Sequence, residues 1–146
     1  MTKKFTLQSL VDKTRAANAR AIATQQQQTA ARQKELEQST IEQYNSALEQ
    51  HIYLTELFTV IGDPEIEYHD DSTALLTQRA KGIIEEVAIT VQIEKYTNDD
   101  CIYLRLIHVQ SVNYTCLRID HNASADTVLQ QIAADSTTLL TAIRHW

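Results

Sequence analysis

Apolar residues recur at helical spacing in the middle of the chain, as expected for a helix with a buried stripe. One stripe has the spacing of a coiled-coil seam and is predicted to form a dimer interface: Ile41, Tyr44, Leu48, His51, Thr55 and Phe58. A neighbouring stripe consists of Ala47, Leu54, Leu57 and Ile61. Two stripes make a broad apolar face. The pattern therefore predicts that one stripe contacts a second copy of the chain and the other contacts the rest of the protein.

The first 61 residues contain no glycine or proline, and Gly62, Asp63 and Pro64 then follow directly. Glycine and proline are the residues that most strongly end helices. The sequence thus predicts one long helix over residues 1–61, dimerising mainly through residues 36–61, and a small head over residues 62–146. Within residues 7–31 the seam positions hold mainly alanine, threonine and glutamine. This composition predicts either a weak coiled coil or a helix that depends on a partner.

The head begins with strand-like patterns. Residues 65–68 resemble a short strand, and residues 72–82 fit a helix or a strand. Residues 87–94 alternate apolar and polar side chains, which is the period of a half-buried strand. A polar turn at residues 97–100 separates them from two further strands, over 102–109 and 112–119. We expect an antiparallel meander of three or four strands.

The C-terminal region has a helical pattern. Ser124 is placed as an N-cap, with Asp126 in the first turn. Apolar residues then recur at helical spacing to the end of the chain, as two short helices or one bent helix. The predicted fold class is α+β: a long N-terminal coiled-coil helix, followed by a small antiparallel sheet that C-terminal helices cover.

Charge changes this picture, because the net charge of −6 is unevenly distributed. Residues 1–34 carry seven basic residues and one acidic residue, whereas residues 35–100 carry fifteen acidic and three basic residues. A basic arm on an acidic body suggests an acidic partner or an antiparallel neighbour, and a solvated helix surface with scattered charge is the alternative. Two cysteines, with no signal peptide and no long apolar run, favour an intracellular protein without membrane association.

No catalytic or metal-binding motif is present in the sequence. Cys101 and His108 resemble a nucleophile and a base, but their odd separation places them on opposite faces of a strand. His69 and its acidic neighbours resemble a cation site, but contiguous ligands in a loop rarely close around a metal. Two glycines are too few for a phosphate-binding loop. We expect no enzyme activity, no metal and no cofactor.

The order of elements resembles the RWD-like heads of kinetochore coiled-coil proteins. It is most similar to the C-terminal domain of the family of mitotic arrest deficient one, a spindle-checkpoint protein. Three segments carry the resemblance, which covers about residues 32–146: the helix-to-strand junction over residues 57–67, the turn and strand over residues 98–104, and the closing helix over residues 139–146.

The resemblance also implies a binding site. The family's coil carries an Arg-Leu-Lys motif that receives a phosphorylated partner kinase, and Arg32-Gln33-Lys34 is similar to it. Arg32 and Lys34 are therefore the implied partner-binding residues, with glutamine in place of the leucine. The family's second landmark, which captures a HORMA-domain partner, is not carried over because Glu56 stands where a basic residue should be.

Together these features lead to one functional expectation and one alternative. The expectation is a non-enzymatic homodimeric adaptor of the kinetochore or spindle checkpoint, which docks a phosphorylated or acidic partner through its coil and head. Its location would be nuclear at the kinetochore if the resemblance holds, and otherwise cytoplasmic. The alternative is a small regulator that binds nucleic acid, or inhibits an enzyme, through its basic N-terminal helix; nucleic acid is the less expected partner because the whole chain is acidic.

Overall fold

The computed structural model describes residues 6–145, and it confirms the α+β class. The elements in chain order are α1 (Leu7–Gln50), α2 (Tyr53–Leu57), β1 (Thr59–Tyr68), β2 (Ala74–Ile84), β3 (Val87–Tyr96), β4 (Ile102–His108), β5 (Asn113–Ile119) and α3 (Ala125–Arg144). The chain divides into two compact units between Glu35 and Leu36. The helical part of the first unit, Leu7–Glu35, is called the N-terminal segment below, and the second unit, from Leu36 onward, is called the head unit. Each is described by itself.

The predicted helix over residues 1–61 differs from the structure at its C-terminal end, and its first five residues lie outside the described range. Helix α1 ends at Gln50, a turn at His51 and Ile52 leads into α2, and strand β1 begins at Thr59. Gly62 and Pro64 therefore lie inside a strand. Gly62 has a φ of 68°, and the β1–β2 register shifts between Ile61 and Glu65. The glycine and the proline thus mark an irregularity in an edge strand, where both residues are tolerated.

The five strands form an antiparallel meander in the order β1-β2-β3-β4-β5. The antiparallel sheet is confirmed, with one strand more than the largest expected number. Residues 72–82, which the sequence left open, fall largely in strand β2, whose buried residues alternate with more exposed ones. The sheet therefore has two distinct faces.

The core lies on one face of the sheet, called the inner face. Its fully buried residues include Leu76, Val91, Ile93, Leu104 and Leu106. Side chains of α1, α2 and α3 complete the same cluster: Tyr44, Leu54, Val128, Ile132 and Leu139. Apolar burial of this kind stabilises a fold by roughly 25 cal/mol per Å². The head unit thus has a core of its own, to which part of α1 contributes.

Helix α3 is one continuous helix. Its predicted N-cap is confirmed, because the Ser124 hydroxyl accepts a hydrogen bond from the Thr127 main-chain N–H at 3.2 Å. Two short helices were the other expectation, but the segment Asp135-Ser136 does not interrupt the helix. Its buried stripe continues on both sides of these two residues, so packing against the sheet maintains the helix through them.

The turn between β3 and β4 is held to the head-unit part of α1. The Thr40 and Thr97 hydroxyls are 2.7 Å apart and buried, and the Asn98 main-chain N–H donates to the Gln43 side-chain oxygen at 2.7 Å. Lys95 is buried, and its Nζ donates to the carbonyl oxygens of Tyr96 and Asp99. Burial lowers the pKa of this amine. Polar contacts therefore fix the last turns of α1 at this end of the sheet.

Candidate partner-binding surfaces

The N-terminal segment is a helix that packs against nothing in its own unit. Apart from Ser9 and Val11, which are half-buried, each of its residues is exposed. Three large apolar side chains, Leu7, Leu10 and Ile22, are at least half exposed. The segment carries five basic residues and two acidic ones. It presents an exposed, basic helical surface with scattered apolar residues.

Arg32 and Lys34 both lie in this segment, and both are exposed. Residues two positions apart in a helix do not face each other. Their side chains within one copy therefore leave the helix in different directions. A phosphate held by both types of side chain would need groups from two helices, and the partner-binding role of these residues stays a prediction.

The residues of the predicted dimer seam lie mostly in the core of the head unit. Tyr44, His51 and Phe58 are buried, with exposed fractions of 3%, 2% and 7%. Ile41 and Leu48 are partly buried and pack against the same core, whereas Thr55 is exposed. A side chain that is buried in its own chain cannot also form a contact with a second copy. The seam pattern reflects internal packing at five of its six positions, and this corrects the expected location of the interface.

The opposite face of the sheet, called the outer face, is open. Every fully buried apolar residue of the strands lies on the inner face, and the outer face has exposed or half-buried residues apart from Glu94. Two neighbouring rows of cross-strand partners on the outer face contain no acidic residue. These rows are Ile61, Arg79, Gln92, Arg105 and Cys116, and Thr59, Lys81, Thr90, Ile107 and Tyr114.

Three basic residues, Arg79, Lys81 and Arg105, occupy these rows, and they are called the basic cluster. Arg79 and Arg105 are two strands apart, which corresponds to roughly 10 Å, and Lys81 lies two residues from Arg79 on the same strand. Arg105 contacts Glu94 with an Nε–Oε1 distance of 3.0 Å but remains 46% exposed. The cluster is positive in a chain that is negative overall. Local sequence patterns do not reveal it, because its members come from separate strands.

A groove of about 1100 Å³ opens at one end of the head unit, beside the β2–β3 hairpin. Its lining is largely apolar and includes Leu57, Ile83 and Val109, which are exposed, together with His108. Lys81 and Glu86 also line the groove, but within residues 6–145 neither is hydrogen-bonded or ion-paired to the His108 imidazole, so no acid–base pair forms there. The lining suits contact with apolar side chains of another protein.

The two residues weighed as nucleophile and base form separate contacts. The Cys101 thiol donates to an Asp120 carboxylate oxygen at 3.1 Å, and burial together with this hydrogen bond raises the thiol pKa to about 11. Since the thiolate is the reactive form, Cys101 is a poor nucleophile. His108 Nδ1 lies 2.5 Å from the Ser111 hydroxyl oxygen.

The contact between His108 and Ser111 escaped the sequence analysis. Ser111 also accepts a hydrogen bond from the Asn113 amide at 3.0 Å. A serine nucleophile needs a base that a third group orients. Among residues 6–145 no carboxylate hydrogen-bonds to His108, so the contact supports the β4–β5 turn.

The acidic loop around His69 does not gather into a metal site. Within the described residues, no three side chains of histidine, cysteine, aspartate or glutamate come together as metal ligands. The Asp70 carboxylate instead accepts hydrogen bonds from the main chain and the hydroxyl of Ser72, and these bonds lower the Asp70 pKa. The loop is closed by its own polar contacts.

Comparisons with known proteins do not indicate a function for these surfaces. No protein-family model matches the chain, and neither the curated proteins nor the solved structures contain a match to it. None of the helices over residues 6–145 has the length and apolarity needed to cross a membrane. Any functional proposal must therefore start from the N-terminal segment and the outer face.

Proposed function

We propose that this protein is a non-enzymatic homodimeric adaptor, in which the N-terminal segment pairs with the same segment of a second copy. The observation that supports the proposal is the exposure of all but two residues of this segment. Most helical stability in proteins comes from packing of a helix face, and isolated helices are marginal in water. Pairing of two segments would cover Leu7, Leu10 and Ile22.

The molecular mass of the full chain in solution tests this pairing. We expect light scattering after size-exclusion chromatography to give twice the chain mass of 16.6 kDa at micromolar concentration. Replacing Leu10 and Ile22 with glutamate should weaken dimerisation, so that dissociation to one chain begins at a higher protein concentration than in the wild type. The matched control is Val112→Glu, which changes an exposed apolar residue of the head unit. A monomeric wild-type chain would refute the proposal.

The adaptor would dock its partner on the basic cluster of the outer face. Within residues 6–145, Arg79 and Lys81 make no ion pair, and the polar side chains of Thr90 and Gln92 lie beside them. Charge complementarity favours an acidic protein segment, whereas the net charge of the whole chain disfavours nucleic acid. The expected partner is an acidic or phosphorylated protein.

A pair of double variants separates this docking surface from the N-terminal segment. Arg79→Gln with Lys81→Gln removes two charges from the outer face, and Arg15→Gln with Arg20→Gln removes two charges from the segment. We expect only the first pair to weaken binding of a labelled peptide rich in glutamate, measured by fluorescence anisotropy. Equal weakening by both pairs would indicate a general charge effect and would contradict the docking site.

The resemblance to the mitotic arrest deficient one family adds a location and a partner class. A fluorescently tagged chain should concentrate at kinetochores of dividing cells. Arg32 and Lys34, contributed by two paired helices, would bind a phosphate through charge-assisted hydrogen bonds. A phosphoserine peptide should then bind more tightly than its serine counterpart, and Arg32→Gln with Lys34→Gln should abolish the difference. Uniform distribution through the cell would remove the kinetochore assignment.

The excess of basic residues in the N-terminal segment supports a second candidate, a regulator that binds nucleic acid through this helix. Binding of a generic DNA or RNA would weaken steeply with salt, because neutralised phosphates release counterions. Arg15→Gln with Arg20→Gln should then reduce the salt dependence, and Arg79→Gln with Lys81→Gln should not. Absence of any salt-dependent binding would exclude this candidate.

A further inference from the structure

The two edges of the sheet differ in how they are protected against pairing with another strand. The β1 edge contains Pro64, which has no N–H to donate, and a register shift between Ile61 and Glu65. It also carries three acidic side chains, Asp63, Glu65 and Glu67. Proline, irregular register and charge are the devices by which proteins protect an exposed sheet edge. The β1 edge is therefore protected.

The β5 edge lacks proline and a register shift, and it carries a single charged side chain. Strand Asn113–Ile119 contains no proline or glycine, and it pairs with β4 in continuous register along its whole length. It is rich in residues that favour strands, with one charged residue, Arg118. Within the described chain, no hydrogen bond outside the β4–β5 pairing involves a main-chain group of this strand. Its outer main-chain groups form an open template for another strand.

We propose that β5 of one copy pairs antiparallel with β5 of a second copy, so that two five-stranded sheets become one sheet. A two-fold axis perpendicular to the sheet keeps the outer faces of both copies on the same side. In such a pair the opposed residues share a face, and the whole strand overlaps only when the axis passes midway between the central residues, Cys116 of each copy. This register places Cys116 opposite Cys116 of the second copy.

The side chains of the strand are self-complementary in this register. Arg118 lies opposite Tyr114 of the second copy on the outer face, where a guanidinium and an aromatic ring attract each other. The same contact occurs twice because of the symmetry. No charge lies opposite a like charge, because the only residue that faces its own copy is the uncharged Cys116. A second copy of the chain therefore fits this edge without repulsion.

Disulfide formation tests the register. Cβ atoms of directly opposed residues lie about 4.5–5.5 Å apart, close to the range that a disulfide requires. We expect mild oxidation of the full chain at micromolar concentration to give a covalent dimer in the wild type and in Cys101→Ser, but not in Cys116→Ser. Cys101 serves as an internal control because its thiol is buried and its carboxylate contact is intramolecular.

A matched variant controls for random collision of exposed thiols. Val112 is 77% exposed and lies outside the strand, so Val112→Cys in a Cys116→Ser chain should cross-link at least several times more slowly than the wild type. Equal rates for the two positions would overturn the proposal. So would the absence of a Cys116 cross-link in a chain that is otherwise dimeric.

Charge substitution at Cys116 provides a test without oxidation. Cys116→Lys and Cys116→Glu each place like charges opposite one another, which destabilises a strand pair. In a chain that also carries Leu10→Glu and Ile22→Glu, each variant alone should dimerise at least about threefold more weakly than the same chain with Cys116, and an equimolar mixture should recover the dimer. Because Cys116 is exposed, thermal melting should show that both variants remain folded. Wild-type dimerisation by both single variants would refute the pairing.

The β5 pairing is distinguishable from pairing of the N-terminal segments. The cross-link at Cys116 should persist when Leu10 and Ile22 are replaced with glutamate, and the lysine variant at position 116 should not change association through the helix. A chain that dimerises through its helix but never cross-links at Cys116 would refute the strand pairing alone. A chain that cross-links at Cys116 and whose association is unchanged by the Leu10 and Ile22 substitutions would refute the proposed helix pairing alone.

Discussion

Gly82 lies where strand β2 passes beneath the ring of Phe58, and replacing it with alanine tests the packing of the head unit. An added Cβ would lie 3.0 and 3.2 Å from ring carbons Cδ1 and Cε1 of Phe58, and 3.3 Å from Cγ1 of Ile89. Phe58 is only 7% exposed, so its ring has little room to move. Overpacking of this kind destabilises by about 1–3 kcal/mol.

Glycine removal also has a stabilising effect that must be subtracted. Gly82 does not adopt a positive φ, so alanine fits the backbone, and the loss of unfolded-state freedom stabilises by about 0.4–1 kcal/mol. We therefore expect Gly82→Ala to lower the free energy of unfolding by about 1–2 kcal/mol, measured by urea denaturation.

The double variant with Phe58→Leu identifies the cause of the loss. Leucine lacks the ring carbons that the new methyl group approaches, so Gly82→Ala should be less harmful in the Phe58→Leu chain than in the wild type. The two changes should differ from additivity by about 0.5 kcal/mol or more, as expected for residues in contact. Strict additivity, or a Gly82→Ala chain as stable as the wild type, would contradict the close approach described above.

Substitutions at three further positions test local features of the head unit. Gly62→Ala should destabilise by about 1 kcal/mol because the φ of 68° disfavours a side chain, whereas Gly62→Asn should be milder; urea denaturation measures both. Ser124→Ala should destabilise by about 1 kcal/mol through loss of the α3 N-cap, and Ser124→Asp should retain most of the stability. Burial, and secondarily the charge of His121, lowers the pKa of His51 from 6.5. The unfolded chain therefore binds this proton at a higher pH than the folded chain, and the free energy of unfolding should fall as the pH drops below about 6.5. His51→Gln should reduce that fall, measured by urea denaturation at pH 7.5 and 5.5.

Local patterns in the sequence predicted most elements of the head unit. The alternation over residues 87–94 identified β3, the polar residues at 97–100 identified the following turn, and Ser124 identified the start of α3. These signals are local because they depend on side-chain period and on capping chemistry. The basic cluster could not be found in this way. Arg79 and Arg105 belong to different strands, and only the register of β2, β3 and β4 brings them to one row.

The break at Gly62 shows where local reasoning gave the wrong boundary. Glycine and proline disfavour a helix, and the helix does end before them. However, strand β1 begins before the glycine and includes Thr59, Val60 and Ile61, because pairing with β2 satisfies their main-chain hydrogen-bonding groups. Strand pairing therefore ends the helical region several residues before Gly62. The glycine instead allows the register shift within β1.

The predicted dimer seam was misplaced for a related physical reason. A helical stripe of apolar residues shows that a face is buried, but it does not show which surface buries it. Tyr44, His51 and Phe58 are buried within their own chain, which leaves them unavailable to a second copy. Any pairing of two copies would then use surfaces that the head unit leaves open, and we propose the N-terminal segment and the β5 edge for this role. The N-terminal segment is exposed but has few large apolar residues, whereas the β5 edge has main-chain groups in regular register. If only one of these surfaces supports a dimer, the strand is the more specific interface, because its register fixes every pair of opposed residues. The helical segment has no continuous apolar seam that would select one alignment of two helices.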